Sequence, residues 1–285
     1  MNVNNPTNPE FNVRQQDIQI ETLAGRLFTP ESARPLPPAI VIGGSEGAFG
    51  WSNAMGTALA IHGIQSMAVS YFDWNGQFGL PEQMVEIPID PFEQVIEMLK
   101  SEQRSECDEL SIVGYSRGAE LALLLATRFP QITRAVAYAP SALIWRGFPI
   151  SKPMPKSSWC YQGQPIPFAH FAGGYFDQIG WQDKEQIDQA TIPVEKIAGP
   201  LLLISGAEDD VWPAAKMADM SMERLKDHNH PYRIRHLALN GIGHDLGVPN
   251  FDNRSALKLE TDDPVRLAWL ATIKFLNDST NKGVT

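Results

Sequence analysis

The sequence has few cysteines, no long hydrophobic run and no surplus of positive charge. Cys107 and Cys160 are its only cysteines, too few for a disulfide framework, and no Cys/His cluster has the spacing of a zinc site. No apolar run approaches the roughly 18 residues that a membrane span requires. The N-terminal segment shows neither the basic region nor the apolar core of a secretory signal. These absences predict a reducing, cytoplasmic location and no membrane span.

The charge balance is acidic. The 285 residues include 33 Asp and Glu against 23 Lys and Arg, which gives a formal net charge of −10. Nucleic acid is therefore an unfavourable partner, because phosphate binding needs a field of Lys and Arg. The same negative charge opposes long-range attraction of an anionic ligand, and so it slightly favours a neutral substrate over an anionic one. An apolar fraction of 43%, with 13 Phe, 7 Trp and 6 Tyr, excludes a disordered chain.

The alternation of apolar patterns predicts an α/β fold. Nearly continuous apolar runs are typical of strands buried on both faces of a parallel sheet; they occupy residues 39–42, 67–69, 110–113, 135–137 and 201–204, and a further strand is predicted at 234–239. Apolar residues at helical spacing occupy 54–61, 92–99, 119–126, 214–225 and 265–276. This alternation implies crossover connections and a mostly parallel sheet with helices on both faces.

The chain is expected to form one domain over residues 1–285. Residues 1–16 are expected to be a disordered tail, and residues 17–29 an antiparallel hairpin that turns at Ala24-Gly25. Between 141 and 196 the alternation gives way to prolines and aromatic residues that look exposed, including Trp145 and Trp159. A long irregular insertion in a compact domain is usually a lid or a binding loop. The alternative is a loop that only packs over the domain.

The strongest local motif is Gly114-Tyr115-Ser116-Arg117-Gly118, which lies between a predicted strand and a predicted helix. A nucleophilic serine must project its hydroxyl from a sharp strand-to-helix turn, and flanking glycines allow the neighbouring backbone to approach. A helix that begins at the serine also directs N–H groups toward developing negative charge. The motif in this position predicts that Ser116 is a nucleophile.

A nucleophilic serine needs a base, and the base needs an acid that orients it. When the serine lies in such a strand-to-helix turn, the acid follows it in the sequence and the histidine follows the acid. The predicted strand at 201–204 leads into three adjacent carboxylates, Glu208, Asp209 and Asp210. Asp209 is the first choice because the glycine at the strand end lets an acid three residues later point back toward the serine. Asp210 is the second choice and Glu208 the third.

His244 is the predicted base among six histidines. It follows the predicted strand at 234–239 in a glycine-bracketed loop, which can bring an imidazole close to a nucleophile. A solvated surface role is predicted for His228 and His230, and His62 ends a predicted helix, where a cation suits the helix dipole. His170 lies in the insertion and has either a substrate contact or a packing role. His236 is the remaining candidate.

The oxyanion of a tetrahedral intermediate needs two N–H donors. The backbone of Arg117, next to the nucleophile, is the first predicted donor, and the loop after the first parallel strand supplies the second. That loop reads Gly43-Gly44-Ser45-Glu46-Gly47, and Ser45 N–H is the predicted donor with Glu46 as its neighbour. The loop lacks the third spaced glycine of a dinucleotide site and the Lys-Ser/Thr pair of a P-loop, so a phosphate-binding loop is not predicted.

Together these motifs resemble the α/β-hydrolase fold, and more closely the C-terminal catalytic domain of acyl-CoA thioesterases and bile acid-CoA:amino acid N-acyltransferases. The resemblance extends over roughly residues 38–250. The two glycine motifs and Gly243-His244 are general to the fold, whereas the stretch from Ile192 to Pro200 and the Trp212 that follows Asp209 are more particular to the family. Animal members carry a β-sandwich domain ahead of the hydrolase domain, whereas the residues before the first predicted parallel strand suffice only for a hairpin.

The resemblance implies a Ser116, Asp209 and His244 triad that cleaves an acyl thioester through an acyl-enzyme, without metal or organic cofactor. Members that transfer acyl groups to amino acids tend to carry cysteine as nucleophile, so Ser116 favours hydrolysis. Further substrate contacts are expected from four residues, Glu46, Tyr115, Trp145 and Trp212. The cations expected near the site, or alternatively scattered over the surface, are Arg117, Arg146, Lys152 and Lys156.

Two other functions stay open at this point. A carboxylic ester or lactone suits an aromatic-rich insertion as well as a thioester does, as in carboxylesterases and dienelactone hydrolases. An acyl-binding protein on a disabled hydrolase scaffold is the second alternative. Sequence gives neither the acyl chain length nor the oligomeric state.

Overall fold

A mostly parallel sheet of eight strands forms the centre of the molecule in the computed structural model, which describes residues 13–31, 36–101, 109–148, 155–169, 184–249 and 262–278. In chain order the described strands are β1 (Val13–Ile20), β2 (Leu23–Pro30), β3 (Ala39–Ile42), β4 (Ser66–Ser70), β5 (Ile87–Pro88), β6 (Leu110–Tyr115), β7 (Ile132–Tyr138), β8 (Trp159–Tyr161), β9 (Gln164–Pro165), β10 (Leu201–Gly206) and β11 (Ile234–Leu239). The main sheet has the order β1-β2-β4-β3-β6-β7-β10-β11, and a small second sheet has the order β5-β8-β9.

Only one edge of the main sheet is antiparallel. β2 pairs antiparallel with both β1 and β4, whereas all pairs from β4 to β11 are parallel. The predicted α/β class with a mostly parallel sheet is confirmed. Because the parallel strands point the same way, the loops at their carboxyl ends meet at one edge of the sheet.

Helices cover both faces of the sheet. In chain order the described helices are α1 (Gly50–Ile61), α2 (Phe92–Ser101), α3 (Arg117–Arg128), α4 (Lys184–Ala190), α5 (Ala214–Asp227) and α6 (Pro264–Asn277). α2 and α3 bury apolar side chains in one core cluster, and α1 and α6 bury theirs in another. Within β3, Ile40 and Ile42 belong to the first cluster and Ala39 and Val41 to the second, because successive side chains of a strand point to opposite faces. Burial on both faces explains the nearly continuous apolar runs.

The N-terminal hairpin differs from the sequence prediction in two respects. Its turn lies at Glu21 and Thr22, not at Ala24-Gly25, because Ile20 pairs with Leu23 and Ala24 is already inside β2. Residues 13–16 belong to β1 and are not part of a tail, since they pair along β2 from Leu27 to Pro30. Residues 1–12 lie outside the described part of the chain.

The described parts of the insertion at 141–196 are more ordered than the sequence predicts. β8 and β9 join β5, and isolated bridges tie residues 143–148 to other segments. Trp145 and Trp159 are buried, with 2% and 0% of their surface exposed, so the expectation of exposed indoles is wrong for both. Both indoles have buried polar partners, described below, which the sequence pattern does not reveal.

Candidate active site

The predicted site residues lie at the carboxyl-terminal edge of the sheet. Ser45 follows β3, Ser116 follows β6, Asp209 follows β10 and His244 follows β11. Glycines let these loops approach one another: a Cβ on Gly118 would collide with the carbonyl oxygen of residue 43, and one on residue 206 would collide with that of residue 243. Close loop packing thus brings together segments of the chain that are far apart in sequence.

Ser116 occupies a strained turn between β6 and α3. Its φ is 55° and its ψ is −121°, a conformation that costs a non-glycine residue on the order of 1–3 kcal/mol. Gly114 lies where any Cβ would collide with the backbone of Gly118 one helical turn later. The turn therefore projects the serine hydroxyl from the start of α3, and 5% of the residue is exposed.

Ser116, His244 and Asp209 form a continuous hydrogen-bonded chain. Ser116 Oγ lies 2.9 Å from His244 Nε2, and His244 Nδ1 lies 2.8 Å from Asp209 Oδ2. In the tautomer with the proton on Nδ1, the imidazole donates to Asp209 and accepts from the serine hydroxyl. This arrangement can remove the serine proton while the acid holds the ring in place.

Asp209 is the carboxylate that reaches the histidine. Its Oδ1 accepts hydrogen bonds from the backbone N–H groups of Val211 at 3.0 Å and Trp212 at 3.1 Å, and its side chain is 2% exposed. Glu208 instead accepts from Gly241 N–H at 3.0 Å, and Asp210 is exposed. The first choice among the three adjacent acids therefore lies where the prediction needs it.

Tyr115 and Trp212 contact His244. Trp212 is 4% exposed, its Nε1 donates to Ala139 O at 3.2 Å, and its ring meets the imidazole edge-on at 5.8 Å. The Tyr115 ring lies 5.5 Å from the imidazole, and its hydroxyl donates to His244 O at 3.3 Å. Burial raises the pKa of Tyr115 well above its usual value, so the hydroxyl remains a donor. Both side chains support the histidine loop, and a substrate contact for either one stays a prediction.

Trp51 extends this support and was not predicted. Its ring stacks on Tyr115 at 5.2 Å, and its Nε1 donates to Leu246 O at 3.1 Å, two residues beyond His244. Its backbone N–H donates to Glu46 at 3.1 Å. One tryptophan thus links the loop after β3 with the histidine loop.

The predicted oxyanion donors lie on both sides of Ser116. Arg117 is the first residue of α3, directly after the serine. The loop after β3 runs beside the nucleophile, because a Cβ on Gly44 would lie 2.9 Å from Ser116 Cβ. Ser45 and Glu46 are solvent-exposed, so solvent reaches the site from this side.

Glu46 is a carboxylate at the edge of the site. Protein atoms surround its carboxyl group, and this desolvation raises its pKa above the usual value, although the residue as a whole is exposed. N–H groups of the same loop, including that of Gly44, oppose the rise. The carboxyl group lies near His244, and a substrate contact for Glu46 stays a prediction.

Arg117 and Glu120 form a buried ion pair behind the nucleophile turn. Arg117 Nη1 lies 2.7 Å from Glu120 Oε2, and Glu120 is 0% exposed. Glu120 Oε1 accepts from Trp159 Nε1 at 2.7 Å and from Trp145 N–H at 3.1 Å, and Arg117 also donates to Ser158 Oγ. The four residues Arg117, Glu120, Trp145 and Trp159 are called the Glu120 cluster below.

The Glu120 cluster bears on two expectations. The Trp145 indole donates to Ser141 Oγ at 2.7 Å within the core, and a substrate contact for Trp145 stays a prediction. The Arg117 guanidinium points into the cluster and is not a surface cation beside the site. A charged i,i+3 pair inside the otherwise apolar helix at 117–128 is the sequence signal that could have indicated this cluster.

Two exposed aromatic side chains border the loop after β3. Trp74 Nε1 donates to Ser45 O at 2.9 Å, and the Trp74 ring meets Phe148 edge-on at 5.8 Å. Trp74 is 38% exposed and Phe148 48% exposed. Since large apolar side chains are rarely left exposed together without a role, this aromatic pair is a candidate surface for an apolar group next to the site.

The remaining described histidines contact other groups. His62 Nδ1 lies 2.9 Å from Ala58 O, His228 Nδ1 lies 2.9 Å from Arg224 O, and His230 Nε2 lies 3.1 Å from Gly199 O. His236 lies between Ser205 Oγ at 2.8 Å and Asp219 Oδ1 at 2.9 Å, which makes a second Ser-His-Asp chain. His170 lies outside the described residues.

The other predicted cations among the described residues, Arg146 and Lys156, lie in different surroundings. Lys156 pairs with Glu86 at 2.7 Å. Burial, and then the nearby Arg117 charge, lower the pKa of Arg146. Lys152 lies outside the described residues. The expectation of a cationic patch is therefore not supported by Arg117 or Lys156.

Comparison with known families identifies the relatives of this chain. A sequence profile of the family described as "BAAT / Acyl-CoA thioester hydrolase C terminal" matches residues 87–260. The chain belongs to this family. The match includes Ser116, Asp209 and His244 and ends beyond β11.

Curated members of the thioester hydrolase family have two kinds of names. The chain is 28% identical over 240 residues to acyl-coenzyme A amino acid N-acyltransferase 2 of Rattus norvegicus, which covers 83% of this chain and 55% of the relative. It is 25% identical over 248 residues to acyl-coenzyme A thioesterase 6 of Homo sapiens, with 84% and 56% covered. The chain thus spans about half the length of these relatives.

Solved structures share the α/β-hydrolase fold. A Klebsiella pneumoniae protein assigned as a dienelactone hydrolase superposes with a TM-score of 0.60 at 15% identity, covering 93% of this chain and 98% of that one. An acylaminoacyl peptidase of Pyrococcus horikoshii also gives 0.60, at 14% identity, with 96% and 43% covered. At this identity the likeness establishes the fold alone.

The described residues contain no helix long and apolar enough to cross a membrane. One relative of the family is named as a peroxisomal thioesterase of Mus musculus and another as a mitochondrial thioesterase of Homo sapiens. The predicted cytoplasmic location therefore stays a prediction.

Proposed function

We propose that this protein is a serine hydrolase that cleaves acyl thioesters, with acyl-CoA as the substrate class. The observation that carries the proposal is the hydrogen-bonded chain from Ser116 through His244 to Asp209, at a strained turn that opens α3. Family membership supports the substrate class, since relatives are named as acyl-CoA thioesterases and acyl-CoA acyltransferases. Serine at position 116 supports hydrolysis over transfer to an amino acid.

The proposed first half-reaction forms an acyl-enzyme. Ser116 Oγ attacks the thioester carbonyl carbon while its proton passes to His244 Nε2, 2.9 Å away. The negative oxygen of the tetrahedral intermediate accepts hydrogen bonds from the Arg117 and Ser45 N–H groups. The carbon–sulfur bond then breaks, and the departing thiolate takes the proton from His244.

The proposed second half-reaction releases the acid. A water molecule gives a proton to His244 Nε2 and attacks the acyl carbon, and the same two N–H groups hold the oxyanion. Collapse of this intermediate breaks the ester bond to Ser116, whose oxygen recovers its proton from the imidazole. Throughout, Asp209 keeps the Nδ1 proton on the histidine and stabilises the positive ring.

The aromatic pair of Trp74 and Phe148 supports an apolar acyl group. Trp74 contacts Ser45 directly, so a group that lies on the exposed rings is next to a proposed oxyanion donor. Apolar contact with the rings removes surface from water and so favours binding. The acyl part of the substrate is therefore proposed to lie against the aromatic pair.

A neutral carboxylic ester is the second candidate, and the charges favour it. Arg117 is paired inside the Glu120 cluster and Lys156 is paired with Glu86, so neither is arranged as a partner for the phosphates of CoA. A net charge of −10 also disfavours encounter with an anionic substrate at low salt.

The test compares substrates that share one acyl group and differ in the leaving group. For each chain length, the acyl-CoA, the acyl-N-acetylcysteamine thioester and the p-nitrophenyl ester are compared by kcat/KM. The proposal expects the acyl-CoA to exceed the truncated thioester, with no acylated product when glycine or taurine is present. If p-nitrophenyl esters are hydrolysed and no CoA is released from acyl-CoA, the protein is an ester hydrolase and the proposal is wrong. If acylated glycine or taurine forms, the protein is an acyltransferase.

A further inference from the structure

Three successive carbonyl groups of the loop after β3 accept hydrogen bonds from one neighbouring segment. The Tyr71 hydroxyl shares its one proton between Gly43 O and Gly44 O, each 3.2 Å away, and Trp74 Nε1 donates to Ser45 O at 2.9 Å. Both donors follow β4, which pairs in parallel with β3. Their side chains therefore hold the far side of the loop that contains the second proposed oxyanion donor.

Peptide geometry links the Tyr71 hydroxyl to that donor. The Gly44 carbonyl and the Ser45 N–H belong to one planar peptide group, in which the two bonds point in opposite directions. A hydrogen bond that fixes the Gly44 oxygen toward Tyr71 therefore fixes the Ser45 N–H away from Tyr71. Donation to a peptide oxygen also polarises the group and strengthens its N–H as a donor.

We propose that Tyr71 is a positioning residue for the oxyanion hole: its hydroxyl holds the Gly44–Ser45 peptide so that the Ser45 N–H faces the oxyanion formed at Ser116. The inference rests on the proposed function, because it assigns a task in the same reaction. Tyr71 touches neither the substrate nor the reacting atoms; it acts through the peptide group.

The surroundings of Tyr71 keep its hydroxyl in one place. The residue is 2% exposed, and its ring packs against Phe72 at 5.3 Å and edge-on against Trp159 at 5.2 Å. Trp159 in turn donates to Glu120, which pairs with Arg117. The segments that carry the two proposed oxyanion donors, Arg117 and Ser45, are thus joined through one buried set of contacts.

Two supporting features agree with this role. Burial raises the pKa of Tyr71 well above its usual value, so the hydroxyl keeps the proton that it donates. A Cβ at residue 44 would lie 2.9 Å from Ser116 Cβ, which places the held peptide directly beside the nucleophile.

The first experiment compares Tyr71→Phe with Tyr138→Phe. Tyr138 is the matched control: it is also buried, and its hydroxyl lies 2.5 Å from Thr272 Oγ1, on a helix that carries no proposed site residue. For Tyr71→Phe, we expect a fall of about tenfold in kcat and in the second-order rate constant for phosphonylation of Ser116 by a fluorophosphonate. This fall is smaller than the loss of about 10²- to 10³-fold in kcat that follows removal of an oxyanion donor itself. KM and the pH profile stay unchanged, and Tyr138→Phe keeps both rates.

The second experiment is a double-mutant cycle with Ser45→Pro, which removes the N–H itself. If Tyr71 acts through this N–H, Tyr71→Phe causes no further fall in the Ser45→Pro background. Equal tenfold falls of kcat in the wild-type and Ser45→Pro backgrounds would overturn the inference. So would a Tyr71→Phe variant that has a lower melting temperature but unchanged rates, as expected for the Tyr138→Phe control. If the fluorophosphonate fails to label the wild-type protein, both the proposed function and the inference are overturned. If it labels the wild type and reacts equally fast with Tyr71→Phe, the inference alone is overturned.

Discussion

The described residues include two Ser-His-Asp chains with almost the same distances. In the first, Ser116, His244 and Asp209 are joined by contacts of 2.9 and 2.8 Å; in the second, Ser205, His236 and Asp219 are joined by contacts of 2.8 and 2.9 Å. The three side-chain types and their spacing therefore do not distinguish a proposed reaction centre from a structural hydrogen-bonded chain.

The surroundings of the two serines are what differ. Ser116 has a φ of 55° at the start of α3, beside a glycine loop, whereas Ser205 lies within β10 and is 0% exposed. The acids differ in the opposite sense: the Asp209 side chain is 2% exposed and the Asp219 side chain 68%. A nucleophile needs an accessible hydroxyl, oxyanion donors and a fixed acid, and only the first chain combines these features.

Replacing the serines gives the largest expected difference between the chains. Ser116→Ala removes the nucleophile, and acyl hydrolysis falls by about 10⁴-fold or more. Ser205→Ala removes a buried hydroxyl from β10 and leaves kcat/KM unchanged. Turnover assays on both purified variants check this, and a Ser116→Ala variant with full activity would contradict the assignment.

Replacing the acids gives the next largest difference. Asp209→Asn keeps the size of the side chain but no longer fixes the Nδ1 proton of His244, so kcat falls by about 10²- to 10⁴-fold. Asp219→Asn is the matched change in the exposed acid and leaves kcat unchanged. Steady-state kinetics on the two asparagine variants measure the contrast; equal losses would mean that the second chain also takes part.

A smaller effect tests the open side of the first chain. Trp74→Ala removes an exposed ring worth about 1 kcal/mol of apolar contact, so KM rises about fivefold for long acyl substrates and less for acetyl. Trp74→Phe loses the N–H that donates to Ser45 O but keeps an aromatic ring, so it retains most of the affinity. Leu270→Ala, at an exposed apolar residue of α6, is the control, and a chain-length series of KM values for the three variants decides the point.

The last prediction concerns stability and the Glu120 cluster behind Ser116, and not activity. Burial raises the pKa of Glu120 to about 7, against 4.5 for an ordinary glutamate, even though Arg117 opposes the rise. Between these values the folded state binds a proton that the unfolded state lacks, so lowering the pH from 7.5 to 5 stabilises wild type relative to Glu120→Gln, by up to about 3 kcal/mol. Urea unfolding at both pH values measures it; a constant difference would contradict the raised pKa.

Much of the fold and the main site residues could be predicted from sequence. Apolar runs locate the parallel strands, because strands buried on both faces need them. Ser116 could be chosen from its place between a strand and a helix, and His244 from its glycine loop, and the structure brings both together with Asp209. The hairpin turn was misplaced because Ala24-Gly25 resembles a turn, whereas strand pairing decides that Ala24 lies inside β2.

The residues that support the site could not be predicted, because their partners are distant in sequence. Tyr71 reaches Gly43 and Gly44 only through the register of β3 and β4. Trp145 and Trp159 looked like exposed aromatics of an insertion, but the buried Glu120 carboxylate holds both. The periodicity of apolar residues indicates which face of a helix or strand is apolar, and it carries no information about hydrogen bonds between residues that are distant in the sequence.

The most direct test of the account is to identify the serine that reacts. A fluorophosphonate probe followed by tandem mass spectrometry of the digested protein should place the adduct on Ser116 and none on Ser205, with labelling lost in Ser116→Ala. An adduct on Ser205, or undiminished labelling of Ser116→Ala, would contradict the claim that surroundings, and not the three side chains alone, make the first chain reactive.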